Sequence, residues 1–350
     1  MTTPSLFARL GIEHPIIQGP MTGSDTPALA AAVSSAGALG MLGCGMRSPT
    51  AMKEAAEAVR AATDRPFGMN LFVLKTPSPD PSAVQKAMAR LEPLYAEFGL
   101  QPAIPAQWCE NFEAQFEMLL ALRPPVASFT FGILTRNQTE RLHAAGIPVI
   151  GTATTVAEAE AWEIVGADAV CVSGMEAGGH RGTFLGDFQA SMIGTLPLVA
   201  ECTRRLSVPV IAAGGIMDGR GIAAAQALGA AAVQMGTAFL VCPESGIGAA
   251  YREALAGASA CDTRCTRIFS GRPSRGIVNT MMEKLAGFEQ DVPEYPVQNA
   301  LTGALRRAAG AQGRADYLSL WAGQGVALAR AIPAGELVAT LVRERSAAAA

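Results

Sequence analysis

Four connections in this chain are variants of one phrase, Ala36-Gly37-Ala38, Ala145-Gly146-Ile147-Pro148, Gly166-Ala167-Asp168-Ala169 and Gly229-Ala230-Ala231-Ala232. In each, an alanine-rich run of helical period stops on a glycine, as a left-handed cap demands, and a short apolar run follows. Repetition of a helix-stop and strand-start unit is the signature of βα repeats. About eight candidate strands result: Pro15 to Met21, Ala38 to Gly43, Pro66 to Phe72, Val126 to Gly132, Pro148 to Thr152, Ala169 to Ser173, Pro209 to Gly215 and Ala232 to Phe239. Helical segments such as Pro27 to Ala36, Pro49 to Ala62, Val156 to Val165 and Gly219 to Leu228 separate them.

A doubly wound open sheet also alternates strand and helix. Its Gly-x-Gly-x-x-Gly fingerprint is missing after the first strand, which ends Gln18-Gly19-Pro20-Met21. The expected fold is therefore α/β, a (β/α)8 TIM barrel. Two segments fall outside the repeat: Lys75 to Trp108, which opens on a proline-rich stretch and continues as a helix, and the residues from about Ala260, read as helical pieces without further strand and helix pairing. The expected division is a barrel of 1–74 and 109–259 and a cap of 75–108 and 260–350, lying over the barrel mouth.

With 350 residues, half of them apolar and 16% charged, the chain has material for a large core. Its net charge of -3 gives no basic footprint, so neither nucleic acid nor an anionic membrane is expected as a partner. Met1 to Arg9 lack the apolar core of a signal peptide and no apolar run reaches membrane-spanning length, so a cytoplasmic protein is expected. The seven cysteines lack metal-site or disulfide spacing and read as reduced, mostly buried thiols, with no metal. Ala347 to Ala350 reads as a frayed end, and a homo-oligomer is left open.

Catalytic groups of such barrels sit where strands end. After Ala169 to Ser173 comes Met175-Glu176-Ala177-Gly178-Gly179-His180-Arg181-Gly182, a glycine-rich loop holding one of three histidines. His14 precedes the first strand and His143 lies on an outer helix, so both read as structural, whereas His180 is placed for proton transfer beside a bound ligand. Arg181 reads as an exposed residue that either guides an anion or only solvates its loop. Gly214 and Gly215 end the seventh strand, and Gln234-Met235-Gly236-Thr237 end the eighth; barrels commonly hold a phosphate between these two loops. Asn70 offers donor and acceptor edges to a heterocycle, and the Met21 thioether can pack on a flat ring. Phe269 to Gly276, with Ser270 in it, either closes over the ligand or merely turns the chain.

The ordered set Pro15 to Met21, Gly68-Met69-Asn70, Glu176 to Gly182, Ala213-Gly214-Gly215, Gln234 to Thr237, Ser270-Gly271-Arg272-Pro273 and Trp321 to Gly325 resembles the nitronate monooxygenases, formerly 2-nitropropane dioxygenases, from about residue 6 to residue 344. The resemblance implies an FMN-dependent barrel enzyme that oxidises alkyl nitronates with O2 to a carbonyl compound and nitrite. It assigns FMN contacts to Met21, Asn70, Ser173, Gly178, Gly179, Gly214, Gly215, Gln234, Met235, Gly236 and Thr237, the base to His180, and a place on the substrate lid to Ser270. Ser173 stands where relatives often carry glutamine. The Gly-Gly-His loop is shared with flavin-containing enoyl-acyl-carrier-protein reductases, so an NAD(P)H-dependent FMN reductase is the alternative. A non-catalytic barrel sensing a phosphorylated metabolite is the reading from a different class.

Overall fold

The computed structural model describes residues 6–349; Met1 to Ser5 and Ala350, at the two ends read above for leader and fraying, lie outside the described residues. Eleven strands are described: β1 (Ile16–Gln18), β2 (Gly40–Gly43), β3 (Phe67–Phe72), β4 (Val126–Thr130), β5 (Val149–Ala153), β6 (Ala169–Ser173), β7 (Gly179–His180), β8 (Val210–Ala213), β9 (Ala232–Met235), β10 (Thr263–Thr266) and β11 (Ser274–Ile277). Eight of them form one sheet of parallel pairs in the order β1-β9-β8-β6-β5-β4-β3-β2. A parallel bridge between Ile17 and Leu39 joins its two ends. The sheet is thus a (β/α)8 TIM barrel, as the repeated phrase predicts. Gly37, Gly146, Gly166 and Gly229 adopt φ of +82°, +78°, +97° and +96°, the left-handed region that ends each preceding helix.

Side chains of a strand alternate between its faces, and the barrel sorts them accordingly. Ala127, Phe129, Val170, Val172, Ala212 and Val233 point outward into the core shared with the helices. Their neighbours Val126, Ala169, Cys171, Ile211 and Ala232 join Ile17, Met41 and Ile150 in a second cluster that fills the barrel, with Leu6, Phe7 and Ile12 of the N-terminal segment packed against it. One step further along the inward rows the residue types turn polar or small: Asn70, Thr130, Thr152, Ser173, Ala213 and Gln234 line a cavity at the C-terminal mouth. That change of character turns a packed core into the floor of a site.

Several expectations are corrected here. The first and eighth strands are shorter than read: β1 stops at Gln18, leaving Met21 in the following turn, and β9 stops at Met235, where Thr237–Leu240 begins one helical turn. The region after residue 260 is not only helical. β10 pairs antiparallel with β11, and β11 in turn with β7, the short strand inside the glycine loop, with Ser274 opposite His180 and Arg275 opposite Gly179. The helix Pro81–Ala96 shares a separate apolar cluster with Ile268, Phe269, Met281, Leu301 and Tyr317. The last helix, Ala334–Ala348, expected in the cap, instead adds Leu337, Val338 and Leu341 to the barrel's outer core. It also covers Ala347 and Ala348, read from sequence as frayed.

Candidate active site

The cavity at the barrel mouth has a volume of about 720 Å³, within the range of small-molecule and cofactor sites. Its wall contains Met21, Asn70, Ser173, Gly178, Gly179, His180, Gly214, Gly215, Gln234, Met235, Gly236 and Thr237, so twelve of the thirteen residues singled out from sequence meet around one space. The thirteenth, Ser270, was expected on the substrate lid. It is fully buried instead and lies behind the imidazole, with its Oγ 2.9 Å from His180 Nε2.

The glycine loops close on one another tightly. Gly214 and Gly215 have φ of +110° and +70°, accessible chiefly to glycine. A Cβ on Gly178 would lie 2.5 Å from the Gly323 nitrogen and 2.6 Å from the Ala322 carbonyl carbon, so the segment from Trp321 seals that loop from behind. Thr237 Oγ1 accepts the Gly323 N–H at 3.0 Å, tying the eighth-strand loop to the same segment. Glu176 receives the Thr195 N–H and hydroxyl and is thereby held away from ligand duty. The result is a backbone-lined recess between the ends of β6, β8 and β9.

Floor side chains differ in how far they are committed. The Asn70 Nδ2 donates to Ser128 Oγ at 2.9 Å and Thr130 Oγ1 at 3.2 Å, while its Oδ1 accepts nothing among the described residues. The Gln234 carboxamide lines the cavity with no partner among the described residues. Free amide edges of this kind suit the donor and acceptor rim of a flat heterocycle.

His180 is half-buried among rings: Trp321, Tyr295 and Phe131 lie 5.3, 5.4 and 5.5 Å from its centroid. Burial first, and then the charges of Arg272 and Arg306, push its pKa down to about 3, so the imidazole is neutral at working pH. The Ser270 Oγ lies 3.1 Å from the Arg272 carbonyl oxygen, a bond that only the hydroxyl hydrogen can make. With that bond made, Nε2–H donates to Ser270 Oγ and the lone pair lies on Nδ1. Nδ1 has no partner among the described residues, and the sealed, unpaired side-chain atoms there are Arg181 Nε and Gln298 Oε1; Nδ1 is open to the cavity.

Arg181 is corrected by its burial. Its Nη1 donates to the carbonyls of Ser173 and Gly174 and its Nη2 to that of Ser191, so it braces the loop from within and guides no anion. Arg272 braces the same loop from the cap, donating to the carbonyls of Arg181 and Thr183, with its guanidinium 4.2 Å from the Phe131 ring centre. Phe269 to Gly276 thus does more than turn the chain: it carries β11, Ser270 and Arg272 against the His180 loop. His143 pairs with Asp168 on the outer surface at 2.8 Å, consistent with a structural role.

Sequence reasoning missed Thr130, Thr152, Phe131, Tyr251, Tyr295, Asn299 and Arg306, all in the cavity wall. Period two along the fourth and fifth strands carried a signal for the threonines, since each sits an even step from an inward residue. No local pattern marks the cap residues, which reach the cavity only through tertiary packing.

A family model described as Nitronate monooxygenase matches residues 3–344. A nitronate monooxygenase of Pseudomonas aeruginosa is 48% identical over 347 residues, covering 97% of this chain and 98% of that protein. A probable nitronate monooxygenase of Staphylococcus aureus strain Newman is 41% identical over 341 residues, covering 97% and 96%. Among solved structures, a nitroalkane oxidase from Streptomyces ansochromogenes superposes with a TM-score of 0.92 at 40% identity, covering 98% and 99%. FabK from Thermotoga maritima superposes at 0.77 with 33% identity, covering 99% and 97%. A full-length family match, relatives above 40% identity and the shared barrel together show that this chain belongs to the nitronate monooxygenase family.

Proposed function

We propose that this protein is an FMN-dependent enzyme that oxidises alkyl nitronates, and neutral nitroalkanes more slowly, with O2 to give a carbonyl compound and nitrite. The observation that carries the reading is His180: a neutral imidazole held by a buried hydroxyl, with its free nitrogen open to a cavity whose floor offers uncommitted amides. The chain's own residues fit FMN. The backbone recess at Gly178, Gly214, Gly215 and Gly236-Thr237 suits a phosphate, and Asn70, Ser173 and Gln234 suit the polar rim of the ring, with Met21 against its face. When bound, FMN supplies the electron-transfer chemistry with O2 that the protein's side chains lack.

His180 Nδ1 is then the acceptor for the proton α to a nitro group. Its low pKa keeps the lone pair available at every working pH, and the nitronate charge formed beside it raises the proton affinity as transfer proceeds. A preformed nitronate needs no such step. The rings of Phe131, Tyr295 and Trp321 surround the imidazole and give the proton-transfer end of the cavity an apolar wall.

The likeness to FabK supports a second reading, reduction of the flavin by NAD(P)H. Anaerobic mixing separates the two. Under the nitronate reading, the yellow protein bleaches with a nitronate and stays oxidised for minutes with NADH or NADPH. Fast bleaching by a nicotinamide and none by a nitronate overturns it. A protein that retains no FMN and takes up none on supply points to the metabolite-sensing barrel.

A further inference from the structure

Among the described residues, the cavity wall holds one side chain that is charged at neutral pH, Arg306, on the cap helix Gly303–Ala311. Its surroundings are unusual for a guanidinium drawn into a wall. Nε donates to Thr302 Oγ1 at 3.2 Å, Nη1 to Ser319 Oγ at 3.3 Å, and Nη2 to the Asn299 carbonyl at 2.9 Å and Oδ1 at 2.8 Å. All four acceptors are neutral. No carboxylate pairs with Arg306 among the described residues; the phenols of Tyr295 and Tyr95 favour its charge and Arg307 opposes it.

Partly buried cations are ordinarily matched by an anion. Desolvation without such a partner pushes this guanidinium down to about 10. A guanidinium has five N–H groups, and four bonds are made, so one donor on Nη1 remains. Arg306 is also one of the two cations whose charge acts on His180, which places it and the imidazole about one space. The glycine recess assigned to the phosphate lies at the barrel loops, whereas Arg306 enters from the cap beside Tyr295, Asn299 and Ser319.

We propose that Arg306 is the specificity-determining cation of the substrate end: its remaining Nη1 donor takes an oxygen of the nitronate group, so the cavity selects the anion over the neutral nitro compound. The proposal rests on the reading of this protein as an oxidase of nitro compounds and names the residue that recognises the substrate's charge. The same contact stabilises the charge that develops on the nitro oxygens when His180 takes the α proton.

Nitrite, a planar anion with the O–N–O unit of a nitronate, is the probe, because its binding needs no turnover. Calorimetric titration of the holoenzyme compares nitrite with uncharged nitroethane in the native protein and in Arg306→Met and Arg306→Gln, the second of which keeps an amide for Asn299 and Ser319. The expected result is nitrite bound at least about tenfold more tightly than neutral nitroethane by the native protein. Loss of a charge-assisted bond weakens nitrite binding by roughly ten- to a hundredfold in the variants, with nitroethane changed less than about threefold. Equal binding of nitrite and nitroethane by the native protein overturns the proposal, even where neither variant folds. So does unchanged nitrite affinity in a folded variant, including one whose FMN absorbance or retention changes, since the charge then serves the cofactor. Arg306-dependent nitrite binding with no nitrite released from any nitronate leaves the anion site standing and removes the oxidation reading.

Discussion

Replacing Ser270 by alanine separates proton transfer from the rest of the reaction. Ser270 is fully buried, and its Oγ receives the His180 Nε2–H at 2.9 Å while donating to the Arg272 carbonyl at 3.1 Å. Removing it strands one buried donor on the imidazole and frees the ring to take the other tautomer, in which Nδ1 carries the hydrogen and cannot act as base. Leaving a buried donor unsatisfied costs about 1–3 kcal/mol. If that cost falls on the proton-transfer barrier, turnover of a neutral nitroalkane drops by about five- to a hundredfold. A preformed nitronate requires no proton acceptor, so its kcat should change less than about threefold by the same reasoning. Oxygen consumption and nitrite release, measured with nitroethane and its nitronate under one set of conditions, read the two arms, and a melting curve shows that the variant is folded. Equal losses on both substrates would refute the tautomer argument, as would no loss on either.

Three further outcomes follow from the geometry. Gly178→Ala places a methyl 2.5 Å from the Gly323 nitrogen, backbone that yields only by moving the seal behind the recess; FMN content of the purified protein should fall, with about 1–3 kcal/mol lost in chemical denaturation, and full FMN content would argue against the recess. His180 is neutral when folded, with a pKa of about 3, against an ordinary value of 6.5; the unfolded chain therefore binds more protons between these values, and stability falls as pH drops through that window. His180→Asn should flatten this acid limb and leave the slope of stability with pH unchanged above about pH 7, whereas an unchanged limb would contradict a neutral imidazole. Arg272→Met removes the charged donor to the carbonyls of Arg181 and Thr183 and a cation acting on His180; the His180 titration followed by NMR should move upward, and a downward move would reverse the assigned electrostatics.

The barrel was legible because its signals are local. A glycine at positive φ ends each of four helices, and a single step of two along a strand decides whether a side chain enters the core or the cavity. The floor of the site inherited that legibility: Asn70, Ser173 and Gln234 are found by counting along apolar runs. The cap was not legible in the same way. Strands β10 and β11 total eight residues, with Arg264 and Arg275 among them; they pair with each other, and β11 joins the site only by pairing with β7, far earlier in the chain. Tyr295, Asn299 and Arg306 likewise reach the cavity through a fold of the chain that no period encodes. Arg181 was misread because its charge suggests solvent, while the carbonyls that bury it belong to a loop geometry invisible in the sequence.

Nitrite release by native protein and by His180→Ala, each supplied in air with the neutral and the anionic form of one nitroalkane, separates the role of the imidazole from the oxidation itself. Nitrite is expected from both forms with the native protein, with loss of about a hundredfold or more on the neutral form in the variant and retention of most nitronate turnover. No nitrite from the native protein with either form, or equal loss on both in the variant, would contradict that expectation.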